Sequence, residues 1–192
     1  GLGGATFPSA VKLNLGIQHK LEILLVNGAE CEPYITCDDR VMREYTAEVI
    51  DGARIMAHAL GAPRVVIGIE ENKPQAIAAM REVAATLPNV EVAAVPVQYP
   101  MGAERQLTQA ITGSETPVRK LTADVGVVVH NAATARAVHH AVRFGRPLIS
   151  RVVTVSGKAV RQPKNIEAPI GAMVSDLISF CGGLATTPWR LV

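Results

Sequence analysis

Residues 21–33, LEILLVNGAECEP, decide how this chain folds. Leu21 to Val26 reads as a strand buried on both faces, as strands of a parallel sheet are. The segment Asn27-Gly28-Ala29-Glu30-Cys31-Glu32-Pro33 follows without a spacer. It therefore falls at the carboxyl end of a strand, where open α/β sheets hold their ligands. The Asn27 amide and the Glu30 and Glu32 carboxylates could hydrogen-bond ribityl or ribose hydroxyls. Equally, one carboxylate could simply pair with Lys12. Pro33 holds Glu32 extended.

Upstream lies Gly1-Leu2-Gly3-Gly4-Ala5-Thr6-Phe7-Pro8, with Lys12 four residues beyond the proline. Three glycines in four residues let backbone N–H groups approach an anion closely, because no Cβ intervenes. Lys12 adds a positive charge for the same anion. A glycine run alone also serves as a tight turn between a strand and a helix. The loop is neither GxxxxGK[ST] nor GxGxxG, since Thr6 stands at the sixth position and no strand precedes it. Phe7 is either a core residue or an aromatic placed to stack on a heteroaromatic ring. A chain that begins inside such a loop reads as an excised piece of something longer.

Downstream, strands and helices alternate. Asp38 or Asp39 caps a helix whose apolar positions Val41, Tyr45, Val49, Ala53, Met56 and Leu60 end at Gly61 and Pro63. Val65 to Ile69 is the second strand, and Asn72 with Pro74 starts a helix to about Leu87. Val90 to Val95 is the third strand. Tyr99-Pro100-Met101-Gly102 turns into a helix from about Ala103 to Ile111. Val125 to Val129 is the fourth strand, and Asn131 and Thr134 head a helix reaching Phe144. This order predicts an α/β domain over residues 1–150, an open, mainly parallel sheet with helices on both faces. Beyond Pro147 the texture changes. Arg151 to Ser156 alternates as a half-exposed strand, Gly157 turns it, and a partner strand lies near Ile166. Val174 to Phe180 is a short helix closed by Gly182-Gly183. Residues 151–192 thus form the start of a small α+β module, with the boundary near Ser150.

Tyr99 to Leu107 (YPMGAERQL) and His130 to Thr134 (HNAAT) also fall at strand-to-helix transitions, on the sheet edge that carries the first two segments. Four such segments on one edge describe a binding crevice.

Composition narrows the choices. The 192 residues are 48% hydrophobic, which supports a packed core and excludes disorder. Net charge is +2, from 19 basic and 17 acidic residues with no basic block, so neither nucleic acid nor an anionic membrane surface is an expected partner. No apolar run approaches the ~20 residues a membrane helix needs, so no direct membrane span is expected. Cys31, Cys37 and Cys181 are too few and too widely spaced for a four-ligand cluster, so no metal site is expected in these residues. They also argue against a disulfide framework and for a reducing compartment. The histidines make no HExxH pattern, and Ser156 lies in a strand rather than a GxSxG elbow.

GLGGATFP with Lys12, NGAECEPYITCDDR, IGIEENKP, YPMGAERQL and HNAATARAV, in this order, resemble the C subunit of the Rnf ion-translocating electron-transport complex. More distantly the chain is similar to the NADH- and FMN-binding flavoprotein subunit of respiratory complex I. The resemblance covers essentially the whole chain, and residues 151–192 resemble a soluble-ligand-binding β-grasp module. It implies an oxidoreductase subunit that binds FMN, takes hydride from NADH, and passes electrons to 4Fe-4S clusters held only in the full-length subunit. It implies other subunits of a membrane electron-transport complex as partners. It further implies a peripheral location on the cytoplasmic face of the bacterial inner membrane. Carried across, Gly1, Gly3, Gly4 and Lys12 surround the FMN phosphate. Asn27, Glu30 and Glu32 line the ribityl chain, the isoalloxazine or the NADH side. Tyr99, Gly102 and Glu104 close the flavin pocket, with Asn131 and Thr134 near it, and Phe7 stacks on NADH. No side chain is expected to act as an acid or base, and the fragment alone is expected to be inactive. Leu2, Ala29 and Ala103 depart from the complex I pattern, which implies fewer FMN contacts. Two other functions fit the same residues: an Rnf-like soluble cobalamin reductase subunit, and a non-catalytic assembly or binding module.

Overall fold

The structure is a computed structural model and describes residues 7–191. Four parallel strands make the main sheet: β1 (Ile23–Gly28), β2 (Arg64–Glu70), β3 (Val90–Val95) and β4 (Val127–Asn131), in the order β3-β2-β1-β4. The helices are α1 (Ser9–Leu13), α2 (Leu15–Gln18), α3 (Cys37–Glu44), α4 (Thr46–Leu60), α5 (Pro74–Ala84), α6 (Glu104–Thr112) and α7 (Ala132–Phe144). Strand β1 is central, so both of its faces are covered. Leu24 and Val26 join the larger apolar cluster with residues of α3, α4, α5 and α7. Ile23 and Leu25 face the smaller cluster with Leu107 of α6. Helices therefore lie on both faces, as the alternation predicts.

A second, two-stranded antiparallel sheet pairs β5 (Ser150–Val155) with β6 (Lys164–Pro169), followed by helix α8 (Val174–Phe180). Its docking is specific. The Thr36 backbone N–H donates to Thr154 Oγ1 at 3.0 Å, and the Asn165 side-chain amide donates to Thr36 Oγ1 at 3.0 Å and to its carbonyl at 3.2 Å. Val152 packs against the larger cluster.

The elements differ from the expected pattern at four places, each for a local reason. The helix expected from Val41 to Leu60 is two helices, broken at Tyr45 (φ −125°, ψ 34°). One off-helix residue leaves the apolar positions on one side, so periodicity alone cannot reveal it. The Arg136 guanidinium stacks over the Tyr45 ring, 3.6 Å from its centroid, and fastens the break to α7. Helix α5 stops at Ala84 because the residue before Pro88 avoids helical torsions. Thr86 Oγ1 also donates to the Val83 carbonyl at 2.9 Å there. Strand β4 begins at Val127, since a 3₁₀ turn (Thr122–Val125) ends in Gly126 at φ 78°. Helices α1 and α2 have no counterpart in the sequence reading: five and four residues are too few to show a period.

Candidate functional site

The register of the sheet builds the site. Asn27 at the end of β1 lies directly across from Asn131 at the end of β4. Neighbouring strands are about 4.8 Å apart, so the two segments after these residues share one edge. There they meet the turn before α6 and residues of the segment from Phe7 to Leu15 around a cavity of about 990 Å³. Phe7, Lys12, Asn27, Glu30, Glu32, Tyr99, Gly102, Glu104, Asn131 and Thr134 all line it. Gly1, Gly3 and Gly4 lie outside the described residues.

Two contacts join the floor to the turn. The Asn27 amide donates to the Gly102 carbonyl at 2.8 Å, while its Oδ1 accepts from the Ala29 N–H at 3.0 Å. A Cβ on residue 102 would stand 2.6 Å from the Ala29 carbonyl oxygen, so only glycine permits this approach. Asn27 is thus a brace between segments.

Lys12, on α1, lines the cavity. Its ammonium donates to Glu104 Oε2 at 2.8 Å and to the Val129 carbonyl at 3.0 Å. Its carboxylate partner is therefore Glu104, not Glu30 or Glu32 as the sequence allowed. Glu104 Oε1 also accepts from the Thr122 hydroxyl at 2.7 Å. Phe7 and Tyr99 are exposed at 50% and 67% and stand on the cavity wall, not in the core.

Glu30 has a structural task. Its carboxylate accepts the N–H groups of Asp38 at 2.7 Å and Asp39 at 2.9 Å. Helix α3 has no side-chain cap of its own, and Glu30 satisfies its first-turn donors from seven residues upstream of Cys37. Asp38 and Asp39, expected as caps, lie inside the first turn. Asp38 instead turns to the cavity, where its Oδ2 accepts from the Asn131 amide at 2.5 Å. Asn131 Oδ1 caps α7, accepting from Ala133 at 3.0 Å and Thr134 at 3.3 Å. Burial, then repulsion from Glu30, pushes the Asp38 carboxyl up from 3.8 to about 6, against the pull of the Asn131 hydrogen bond. Burial chiefly, and these same two carboxylates, push the Cys37 thiol up to about 12. Cys37 is therefore a neutral packing residue at neutral pH.

A raised carboxyl means that the fold favours protonated Asp38. Its stabilising contribution is present below its ordinary value and is lost as pH rises through about 6. Asp38→Asn keeps an acceptor for Asn131 and cannot ionise. We expect it to exceed wild type in stability by about 1–2 kcal/mol near pH 7, the gap shrinking towards about pH 4.5. Thermal unfolding across that range checks this; a gap that does not change with pH would refute the assignment.

Four residues that line the cavity have no site role of their own in the sequence, although His130 heads a segment expected at the crevice. The sequence reading assigns Asp38 to a cap. His130 lies between apolar strand residues and the more conspicuous Asn131. Arg151 and Thr154 come from β5, which walls the cavity together with Val152 and Val153. Nothing in a strand of the following module signals that it reaches back over the sheet edge. His130 is 5% exposed, and its Nε2 has no hydrogen-bond partner among the described residues. Burial first, then the Lys12 ammonium, pushes its ring down to about 4, so it is neutral at pH 7. Among the described residues no group of three His, Cys, Asp or Glu side chains is placed to hold a metal ion. No described helix is long and apolar enough to cross a membrane.

An open parallel α/β sheet with its strand-end segments gathered on one cavity describes a cofactor-binding domain, and comparison with known proteins agrees. Residues 1–140 match the Nuo51 FMN-binding domain family, and residues 152–191 match the SLBB domain. The chain belongs to the Nuo51 FMN-binding domain family, with an SLBB segment after it. It is 58% identical over 193 aligned residues to the C subunit of the ion-translocating oxidoreductase complex of Rhodobacter capsulatus, covering 100% of this chain and 37% of that protein. It is 48% identical to the protein of the same name from Pseudomonas aeruginosa, covering 95% of this chain and 23% of that one. It thus spans little more than a third of the length of these relatives, or less. Among solved structures, an NAD+-reducing [NiFe]-hydrogenase in its H2-reduced state has the same fold. The TM-score is 0.78 at 24% identity, over 95% of this chain and 37% of that chain. Its air-oxidised state aligns with a TM-score of 0.75 at 26% identity, over 94% of this chain and 36% of that chain.

Proposed function

We propose that this chain is the flavin-binding part of a subunit of an ion-translocating oxidoreductase complex of the Rnf type. The observation that carries this is the convergence of the strand-end segments on one cavity that a cation, Lys12, also lines. The donor chemistry fits FMN. An ammonium suits the phosphate, and amides and carboxylates suit ribityl hydroxyls. Half-exposed Phe7 and Tyr99 offer flat apolar faces to a ring. Bound there, FMN would supply the exchange between hydride transfer and single-electron transfer. The residues of this chain bind and orient; none of them needs to move a proton.

NADH is the proposed hydride donor, and 4Fe-4S clusters outside residues 1–192 the proposed acceptors. The proposed partners are the other subunits of a membrane complex, with this part peripheral on its cytoplasmic face. Residues 1–150 form the flavin-binding domain in this reading, and 151–192 the beginning of the β-grasp module. Gly1, Gly3 and Gly4 are proposed to join Lys12 around the phosphate, with Glu32 and Thr134 along the cavity wall.

A second reading draws on the internal pairing of Lys12 with Glu104, which a structural brace would also show. In that case the domain docks other subunits and binds no flavin. Colour separates the two. The intact protein, purified and mixed with FMN, is expected to retain a flavin absorbance after gel filtration. A colourless protein would refute the flavin assignment.

A further inference from the structure

His130 is the one histidine of the described chain whose buried ring nitrogen lacks a partner. Buried polar atoms are almost always hydrogen-bonded, because leaving one unsatisfied costs its full desolvation. The atom therefore points to a partner supplied by a ligand. Its neighbourhood says which part of the ligand. His130 lines the cavity, and Lys12 donates to the carbonyl of Val129, the residue just before it. The imidazole and the ammonium both line the cavity, close enough for the ammonium to act on the ring. Glu104 is the carboxylate that acts on this ring, and it is already held by Lys12 and Thr122. A neutral imidazole can donate from Nε2 without adding a second full charge next to Lys12.

We propose that His130 Nε2 is the neutral hydrogen-bonding contact for the phosphate of the flavin, set beside the cationic contact from Lys12. These contacts then select a phosphorylated flavin over an unphosphorylated one. The inference rests on the flavin-binding function proposed above, and goes beyond it by assigning ligand selectivity to one residue.

The test uses the intact protein with two probes, FMN and riboflavin, followed by quenching of flavin fluorescence. Wild type is expected to prefer FMN. His130→Leu is expected to weaken FMN roughly 10- to 30-fold, the loss of one hydrogen bond to a charged group, while riboflavin changes less than about 3-fold. His130→Gln, which keeps a donor near the Nε2 position, is expected to restore most of the preference. The ligand-free His130→Leu protein is expected to melt higher than wild type, since it no longer buries an unsatisfied nitrogen. A residue that merely holds the fold together would lower both affinities and the melting temperature.

A measurement on the unaltered protein stands independently of how the variants fold. The ring nitrogen signals of His130, observed by ¹⁵N NMR, are expected to shift when FMN is added and to stay put with riboflavin. Equal losses for both flavins in His130→Leu, or a His130 signal indifferent to FMN, overturn the phosphate contact while leaving flavin binding intact. A wild-type protein that binds neither flavin overturns both proposals.

Discussion

Gly52→Ala is expected to destabilise the protein by at least about 3 kcal/mol, a drop of roughly 10 °C in melting temperature. Gly52 lies in the middle of α4 where that helix crosses α7. A Cβ there would stand 1.8 Å from the Ala135 carbonyl oxygen and 2.6 Å from its carbon. Both atoms are backbone, so no rotamer change can make room. Alanine would gain roughly 1 kcal/mol in helix propensity, too little to reverse the sign. The helices would have to separate, stretching the pairs that span them. These include His139 with Asp51 at 2.6 Å, Arg143 with Asp51 at 2.7 Å and Arg136 with Glu48 at 2.8 Å. Arg143, with help from His139, holds the Asp51 carboxyl down to about 2, so that pairing persists through the neutral range. Thermal unfolding of the variant checks the prediction; an unchanged or higher melting temperature would contradict the packing described.

Lys12→Ala is expected to weaken FMN binding by roughly 100-fold or more, from two additive causes. One charge-assisted hydrogen bond to the phosphate is lost. In addition, Glu104 loses its cation and stands as a bare carboxylate near the anion. The second cause makes the effect separable. Lys12→Ala with Glu104→Gln is expected to bind FMN better than Lys12→Ala alone, by roughly 5- to 10-fold, although it lacks two charged groups instead of one. FMN titrations of the two variants decide the matter. If the double variant is no better than the single one, Glu104 has no influence on the anion. If Lys12→Ala binds as wild type does, the phosphate lies elsewhere.

The sequence discloses the frame of this molecule better than its fastenings. Strands such as Ile23–Gly28 and Arg64–Glu70 are legible because burial on both faces leaves a continuous apolar run, with turn residues on either side. The common edge of Asn27 and Asn131 is legible too, since parallel strands put all their carboxyl ends together. What local patterns cannot disclose is which carboxylate answers which donor. Glu30 caps a helix that starts at Cys37, and Lys12 pairs with a glutamate 92 positions away. Those choices depend on three-dimensional closure, in which several acidic residues of equal chemistry compete for one cation. The segment headed by His130 is legible at the crevice, but the role of its ring is not: its distinction is a missing partner among the described residues, and an absence leaves no trace in a string of letters.

The β5–β6 ribbon carries a practical consequence. Two strands alone are marginally stable in water, so this one borrows its order from the sheet edge it covers. Pocket and ribbon then share a single thermodynamic ledger. Whatever fills the hollow must tighten the flap above it, and whatever tugs the flap must loosen the occupant by the same factor. A protein trimmed just before Ser150 would therefore keep its sheet yet lose a wall of the chamber, and ligand affinities measured on it would describe a roofless room.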